Sequence, residues 1–142
     1  MPITNTSSGK VRKMQEIDLK LPEYYINRQL SQLEFNSRVL EQACNETVPL
    51  LERLRFLCIF STNMDEFFEI RVAGLKQKME LGAVQNEPDN KSPQEVLKAV
   101  SQRAHELVDK QYALLNKLLD QELAQENIRF IRRTEWSECM NA

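Results

Sequence analysis

Little in this sequence interrupts the backbone. Three glycines and five prolines in 142 residues leave long stretches without a punctuating residue, which excludes a fold of many short elements. Leu, Glu, Gln, Lys and Arg are abundant in those stretches, so the elements are expected to be helices. Histidine is nearly absent as well. The single His105 and the three cysteines, Cys44, Cys58 and Cys139, form no C-x-x-C pair and no plausible metal spacing. An odd cysteine count without a recognisable leader points to a reducing compartment, hence a soluble, cytoplasmic chain. No apolar run approaches the ~20 residues that cross a bilayer, so no transmembrane segment is expected. Excess positive charge is missing too: the formal net charge of −2 argues against a dedicated nucleic-acid binder. No Gly-rich phosphate loop, G-x-S-x-G elbow, Cys/His pair or kinase signature occurs.

What is present describes an ordinary soluble domain, with 42% hydrophobic and 28% charged residues in a length that buries one core. The expected organisation is a flexible arm over 1–21, a helical domain over 22–127, and the start of a following domain over 128–142. Lys10-Val11-Arg12-Lys13 lies in the arm and reads as a solvated basic run or an anion anchor. Ser31-Gln32-Leu33-Glu34 has the form of a capping box, with Leu30 and Phe35 placed for a hydrophobic staple. The first helix is therefore predicted from about Gln32 to Asn45, with Leu33, Phe35, Val39, Leu40, Ala43 and Cys44 on its apolar face. A second, from about Pro49 to Phe60, is so apolar that it should be enclosed on most sides. A third is predicted from about Met64 to Leu81, stopped by Gly82.

Residues 82–92 have the composition of a mobile loop. Ser92-Pro93-Gln94-Glu95 then starts one dominant helix, from about Pro93 to Gln125 and roughly 45 Å long. Ile128-Arg129-Phe130-Ile131 alternates like a short strand. The fold class is all-α, an antiparallel helical bundle with one long C-terminal helix.

The chain is organised around Phe60-Ser61-Thr62-Asn63-Met64-Asp65-Glu66-Phe67-Phe68. Three consecutive residues able to cap a helix precede two carboxylates, so a helix N-terminus that could receive a ligand is expected there. Asp65, Glu66 and Glu69 read either as a carboxylate site or as residues serving the helix dipole. Asn63 reads either as a cap or as an amide able to recognise a base, since it carries an acceptor and two donors. The acidic neighbours disfavour a phosphate there. Tyr24, Tyr25, Phe67 and Phe68 could stack on a base or belong to the core. His105 has no catalytic partner in sequence and reads as a surface or half-buried imidazole.

Three linked motifs carry a resemblance. Tyr25-Ile26-Asn27-Arg28-Gln29-Leu30-Ser31-Gln32-Leu33-Glu34-Phe35-Asn36-Ser37-Arg38-Val39-Leu40 resembles the opening of the large bacterial polyphosphate kinases. Pro49-Leu50-Leu51-Glu52-Arg53-Leu54-Arg55-Phe56-Leu57 does so too. The third is Ser61-Thr62-Asn63-Met64-Asp65-Glu66-Phe67-Phe68, continuing through Arg71-Val72-Ala73-Gly74-Leu75-Lys76. Gln32 departs from the family's usual Trp, which bears on local packing or a contact surface.

The resemblance implies an enzyme that reversibly transfers the terminal phosphate of ATP to inorganic polyphosphate, through a phosphohistidine in C-terminal domains this chain does not contain. It implies a helical N-terminal domain that helps cover the nucleotide (ATP or ADP) and contributes to a homo-oligomer. Mg2+ is expected, with ligands outside this chain, and the location is the cytoplasm or the inner-membrane periphery. The family's nucleotide-binding Asn falls on Asn63; no catalytic or metal-ligating residue is expected in the chain, and the reading weighed against it is a stand-alone helical interaction module. That module would pair with another chain through an a/d seam from Leu97 to Leu118.

Overall fold

Asn27 starts the first helix. Its side-chain oxygen accepts from the N–H groups of Gln29 (3.0 Å) and Leu30 (3.3 Å), and α1 runs Arg28–Cys44. In this computed structural model, which describes residues 18–82, 88–131 and 133–135, the Ser31 capping box is therefore not used. Arg28, Gln29 and Leu30 extend the helix upstream, Leu30 packs on the core, and Glu34 turns instead to Arg103. Phe35, expected on the apolar face and in the staple, is 48% exposed; Asn36 and Ser37 are buried in its stead.

The turn at 45–49 returns the chain antiparallel to α1 as α2, Leu50–Glu66. No break occurs at Ser61-Thr62-Asn63. Phe60, Met64 and Phe67 are all buried at helical spacing, and this shared face outweighs the capping tendency of the three polar residues. Thr62 donates its hydroxyl to the Cys58 carbonyl at 3.2 Å, the usual accommodation of Thr inside a helix. The enclosure expected for this helix is also incomplete. Leu57, Phe60 and Met64 face the core, but Leu51 and Ile59 are exposed on the outward side, which no other described element covers.

The helix continues through a π-helical stretch, Phe67–Val72, into α3, Ala73–Glu80. Gly82, at φ +66°, supplies the expected stop. Residues 83–87 of the expected loop and 1–17 of the expected arm lie outside the described residues, as does Cys139. Ser92 caps α4, Pro93–Lys117, with both halves of the capping box formed. A second π stretch, Leu118–Glu122, leads into α5, Leu123–Gln125, so the long helix spans the expected range. It ends in a Schellman arrangement: Asn127 sits at φ +59°, its N–H bonds the Ala124 carbonyl, and the Ile128 N–H bonds the Leu123 carbonyl at 2.9 Å. The strand expected at Ile128–Ile131 is absent: those residues are irregular, with no partner strand among the described residues.

Both π stretches have one cause. Phe67 and Val72 are buried five residues apart, and so are Leu118 and Leu123. A regular α-helix would turn the second member of each pair away from the core. The wider i→i+5 turn restores it.

α4 lies along α1, α2 and α3. Its Val96, Val100, Ala104, Leu107 and Leu114 join Leu33, Leu40, Leu57, Phe60, Met64 and Leu75 in one core. The Leu97–Leu118 seam is thus largely consumed inside the bundle rather than offered to a second chain. Arg103 ties α4 to α1, donating to Glu34 at 2.6 and 3.0 Å and to Ser37 at 3.4 Å. No helix among the described residues is long and apolar enough to cross a membrane.

At the turn end of the α1–α2 hairpin, the Arg53 guanidinium is buried. It donates to the Ala43 carbonyl at 2.9 Å and pairs with Glu122, which also meets Lys117 at 3.2 Å. Hydrogen bonding from Arg53, more than Lys117, holds the Glu122 carboxyl below its ordinary value of 4.5. Replacing Arg53 by Ala is expected to cost about 3 kcal/mol, the lower end of the range for breaking a buried pair, because water still reaches Glu122. A denaturant midpoint shift below about 1 kcal/mol would refute it. Since the folded carboxyl binds its proton less readily than the unfolded one, its contribution is present above about pH 4.5 and lost as pH falls through the folded value. Melting temperature should therefore drop on acidification below pH 4.5, and Glu122→Gln should flatten that drop while lowering stability at neutral pH.

Candidate functional site

At the open end of the same hairpin, α1 and the end of α2 border a cavity of about 170 Å³. Gln32 and Phe35 line it from α1; Asn63, Glu66, Phe67, Ile70 and Arg71 line it from α2 and the π stretch. The π turn builds this site: burial of Phe67 and Val72 brings Ile70 and Arg71 round to the opening. The volume is below the roughly 300–1,000 Å³ of a complete small-molecule site, so it suits part of a ligand.

Asn63 is half-buried at the cavity wall. Its Nδ2 donates to Asn36 Oδ1 at 3.1 Å, and Asn36 Nδ2 in turn reaches the Met64 sulfur at 3.8 Å. No donor among the described residues meets Asn63 Oδ1. Asn63 is therefore neither a cap nor part of a helix N-terminus, and the anion-receiving geometry expected there is absent. What remains is a neutral amide with Phe35, Phe67 and Ile70 on part of the lining and Gln32, the Glu66 carboxylate and the Arg71 guanidinium on the rest. Such a lining fits a flat heteroaromatic group with polar edges.

The other sequence candidates are not brought together. Asp65, Glu66 and Glu69 are exposed, and no group of three His, Cys, Asp or Glu side chains gathers among the described residues. With no helix start at residue 64, the dipole explanation for these carboxylates also falls. Phe67 belongs to the core and packs edge-on against the partly exposed Phe68, with centroids 5.7 Å apart. Tyr24 and Tyr25 are exposed and do not line the cavity. His105 lies on the outside of α4, its Nδ1 2.6 Å from the Ser101 carbonyl. Cys44 is half-buried and Cys58 exposed, both unpaired.

Sequence reasoning passed over Asn36 and Arg71. The signal for Asn36 was available: it stands three residues after Leu33 and four before Leu40, a polar side chain on the buried stripe of α1.

The family model for the polyphosphate kinase N-terminal domain matches residues 25–131. The chain is similar to polyphosphate kinases of Pseudomonas syringae pv. tomato (53% identity over 118 residues, 83% of this chain) and Pseudomonas aeruginosa (55% over 113 residues, 80%). The similarity extends to the polyphosphate kinase of Halalkalibacterium halodurans, at 47% over 135 residues and 92% of this chain. The matches span 16% of the length of each Pseudomonas relative and 19% of the Halalkalibacterium one. No solved structure matches the chain. On the family match and these identities, the chain belongs to the polyphosphate kinase N-terminal domain family.

Proposed function

We propose that this domain forms the nucleotide-facing side of a polyphosphate kinase, which reversibly moves the terminal phosphate of ATP onto inorganic polyphosphate, and that Asn63 contacts the nucleotide base. The observation that carries the reading is the Asn63 amide oxygen, unpaired among the described residues on a side chain lining a cavity of mixed aromatic and polar character too small for a whole nucleotide. The cavity takes the base, while the triphosphate lies against other domains. The phosphorylated histidine and the ligands of Mg2+ belong to those domains, since His105 is not on the cavity lining and no phosphate loop is present. The polyphosphate kinase names of the relatives support the substrates. The cytoplasm, association of subunits and contact with the enzyme's own C-terminal domains complete the proposal. Nucleic acid is not a partner in this reading.

Two outcomes test it. Asn63→Ala in the full-length enzyme removes one or two hydrogen bonds to the base, and apparent ATP affinity should fall roughly three- to a hundred-fold. The preference for ATP over GTP should weaken with it. The same change orphans buried Asn36 Oδ1, at a cost of about 1–3 kcal/mol, so a lower melting temperature is expected on either reading. If ATP dependence and base preference both stay unchanged, Asn63 is only an inter-helix tie. Secondly, this chain alone should make no polyphosphate from ATP. Phosphoryl transfer by the purified chain, abolished by His105→Ala, would contradict that expectation.

A further inference from the structure

We infer that Asn36 is a positioning residue which fixes the direction of the Asn63 amide, so that the cavity presents a hydrogen-bond acceptor and selects a 6-amino purine over a 6-oxo purine. The inference rests on the base contact proposed for Asn63.

Asn36 is fully buried between α1 and α2. One end of its amide faces the Met64 sulfur at 3.8 Å, the other faces Asn63 at 3.1 Å. A thioether has no hydrogen to give; it only accepts. The NH2 group of Asn36 must therefore point at Met64 and its oxygen at Asn63. Turned round, two acceptors would oppose each other where no water can enter, and the Asn36 NH2 would be directed at Asn63 instead. With the Asn36 oxygen so placed, only the NH2 of Asn63 can meet it. Asn63 Oδ1 then turns away from Asn36, unmatched by any donor among the described residues, with the second N–H of Nδ2 beside it.

The chain Asn63–Asn36–Met64 thus has one polarity, set at its buried end by sulfur and read at its open end as an acceptor. An exocyclic amine at purine position 6 donates to such an acceptor. A 6-oxo group opposes it with a second acceptor, and a polar site left unpaired discriminates strongly.

The test uses the full-length enzyme with ATP and ITP, which differ in the base only at position 6 and the neighbouring ring nitrogen. The ratio of kcat/KM values should favour ATP in the wild type. Asn36→Leu removes the tie while keeping an occupied core position, and the preference should fall roughly 2- to 10-fold, through KM for ATP rather than kcat. Met64→Leu conserves volume, retains the fold and should lower the preference in the same direction. Leu40→Ala loosens the same helix without touching the amides and should leave the preference intact.

Should Asn36→Leu and Met64→Leu keep the wild-type ratio while Asn63→Ala loses it, the positioning role is wrong and the base contact stands. A ratio retained in Asn63→Ala removes both. An equal fall in Leu40→Ala would mean general loosening, and the positioning role would again be wrong. If Asn36→Leu does not fold, Met64→Leu decides.

Discussion

A guanidinium with 4% of its side chain exposed must find partners inside the protein, and Arg53 finds them on two other elements at once. It takes the Ala43 carbonyl, one of the last carbonyls of α1 that no helical N–H can reach, and it takes the Glu122 carboxylate from the second π stretch. Lys117 extends the set to Glu46 at 3.0 Å, in the turn between α1 and α2. The turn end of the hairpin is therefore closed by charge-assisted hydrogen bonds to the end of the long helix. The long helix in turn fixes the depth at which α1 and α2 pack, and with it the separation of their other ends. Such a pair does not stabilise more than a well-packed apolar substitute would, but one register of α4 satisfies it and its neighbours do not. Register is what it specifies.

The same demand for register explains which parts of the fold could be read from the sequence. The all-α class and the long helix rest on strong local signals: a complete capping box at Ser92, few breakers, and Asn127 to end the run. The boundary at residues 61–63 was misread because the capping tendency of Ser, Thr and Asn is local, whereas Phe60, Met64 and Phe67 are committed to one face by a core formed from distant residues. Tertiary burial outweighs the local preference when the two conflict. The π stretches were not legible, because Phe68 to Val72 and Leu119 to Leu123 keep an apolar step of four in the sequence. Only the burial of Phe67 with Val72, and of Leu118 with Leu123, makes the step five, and a regular turn and a wider one read alike beforehand. Nothing local decides between those; the continuous core on both sides does.

The site shows the same division. Asn63 stood out in sequence through its place in a motif, but the physical reason first attached to it, a helix start, is not what the fold provides. Its neighbours on the cavity come from two helices and a π turn, and no spacing rule within one segment would have joined Phe35 to Ile70. Asn36 was hidden for a different reason. A polar residue on an otherwise apolar stripe is easily taken for a surface residue at the margin of the stripe, and only the opposing helix shows that Met64 and Asn63 enclose it.

The two ends of one helical hairpin thus do opposite work with opposite chemistry. The closed end gathers full charges, because strong directional pairs with fixed partners hold a register against slippage. The buried part of the open end is built from neutral amides and a thioether, with Glu66 and Arg71 only on the cavity lining. A full charge held as deeply as Asn36 would require its own counter-ion, and that counter-ion would compete with any ligand for the same bonds. Amides avoid this: each can spend one hydrogen bond on its neighbour and keep another group available. The Asn63 oxygen is held outward because one N–H of its amide is already committed to Asn36, and the commitment runs inward to a sulfur atom that can only accept. Rigidity at the closed end and direction at the open end together make one small acceptor, on a cavity of about 170 Å³, a defined feature rather than a rotating side chain.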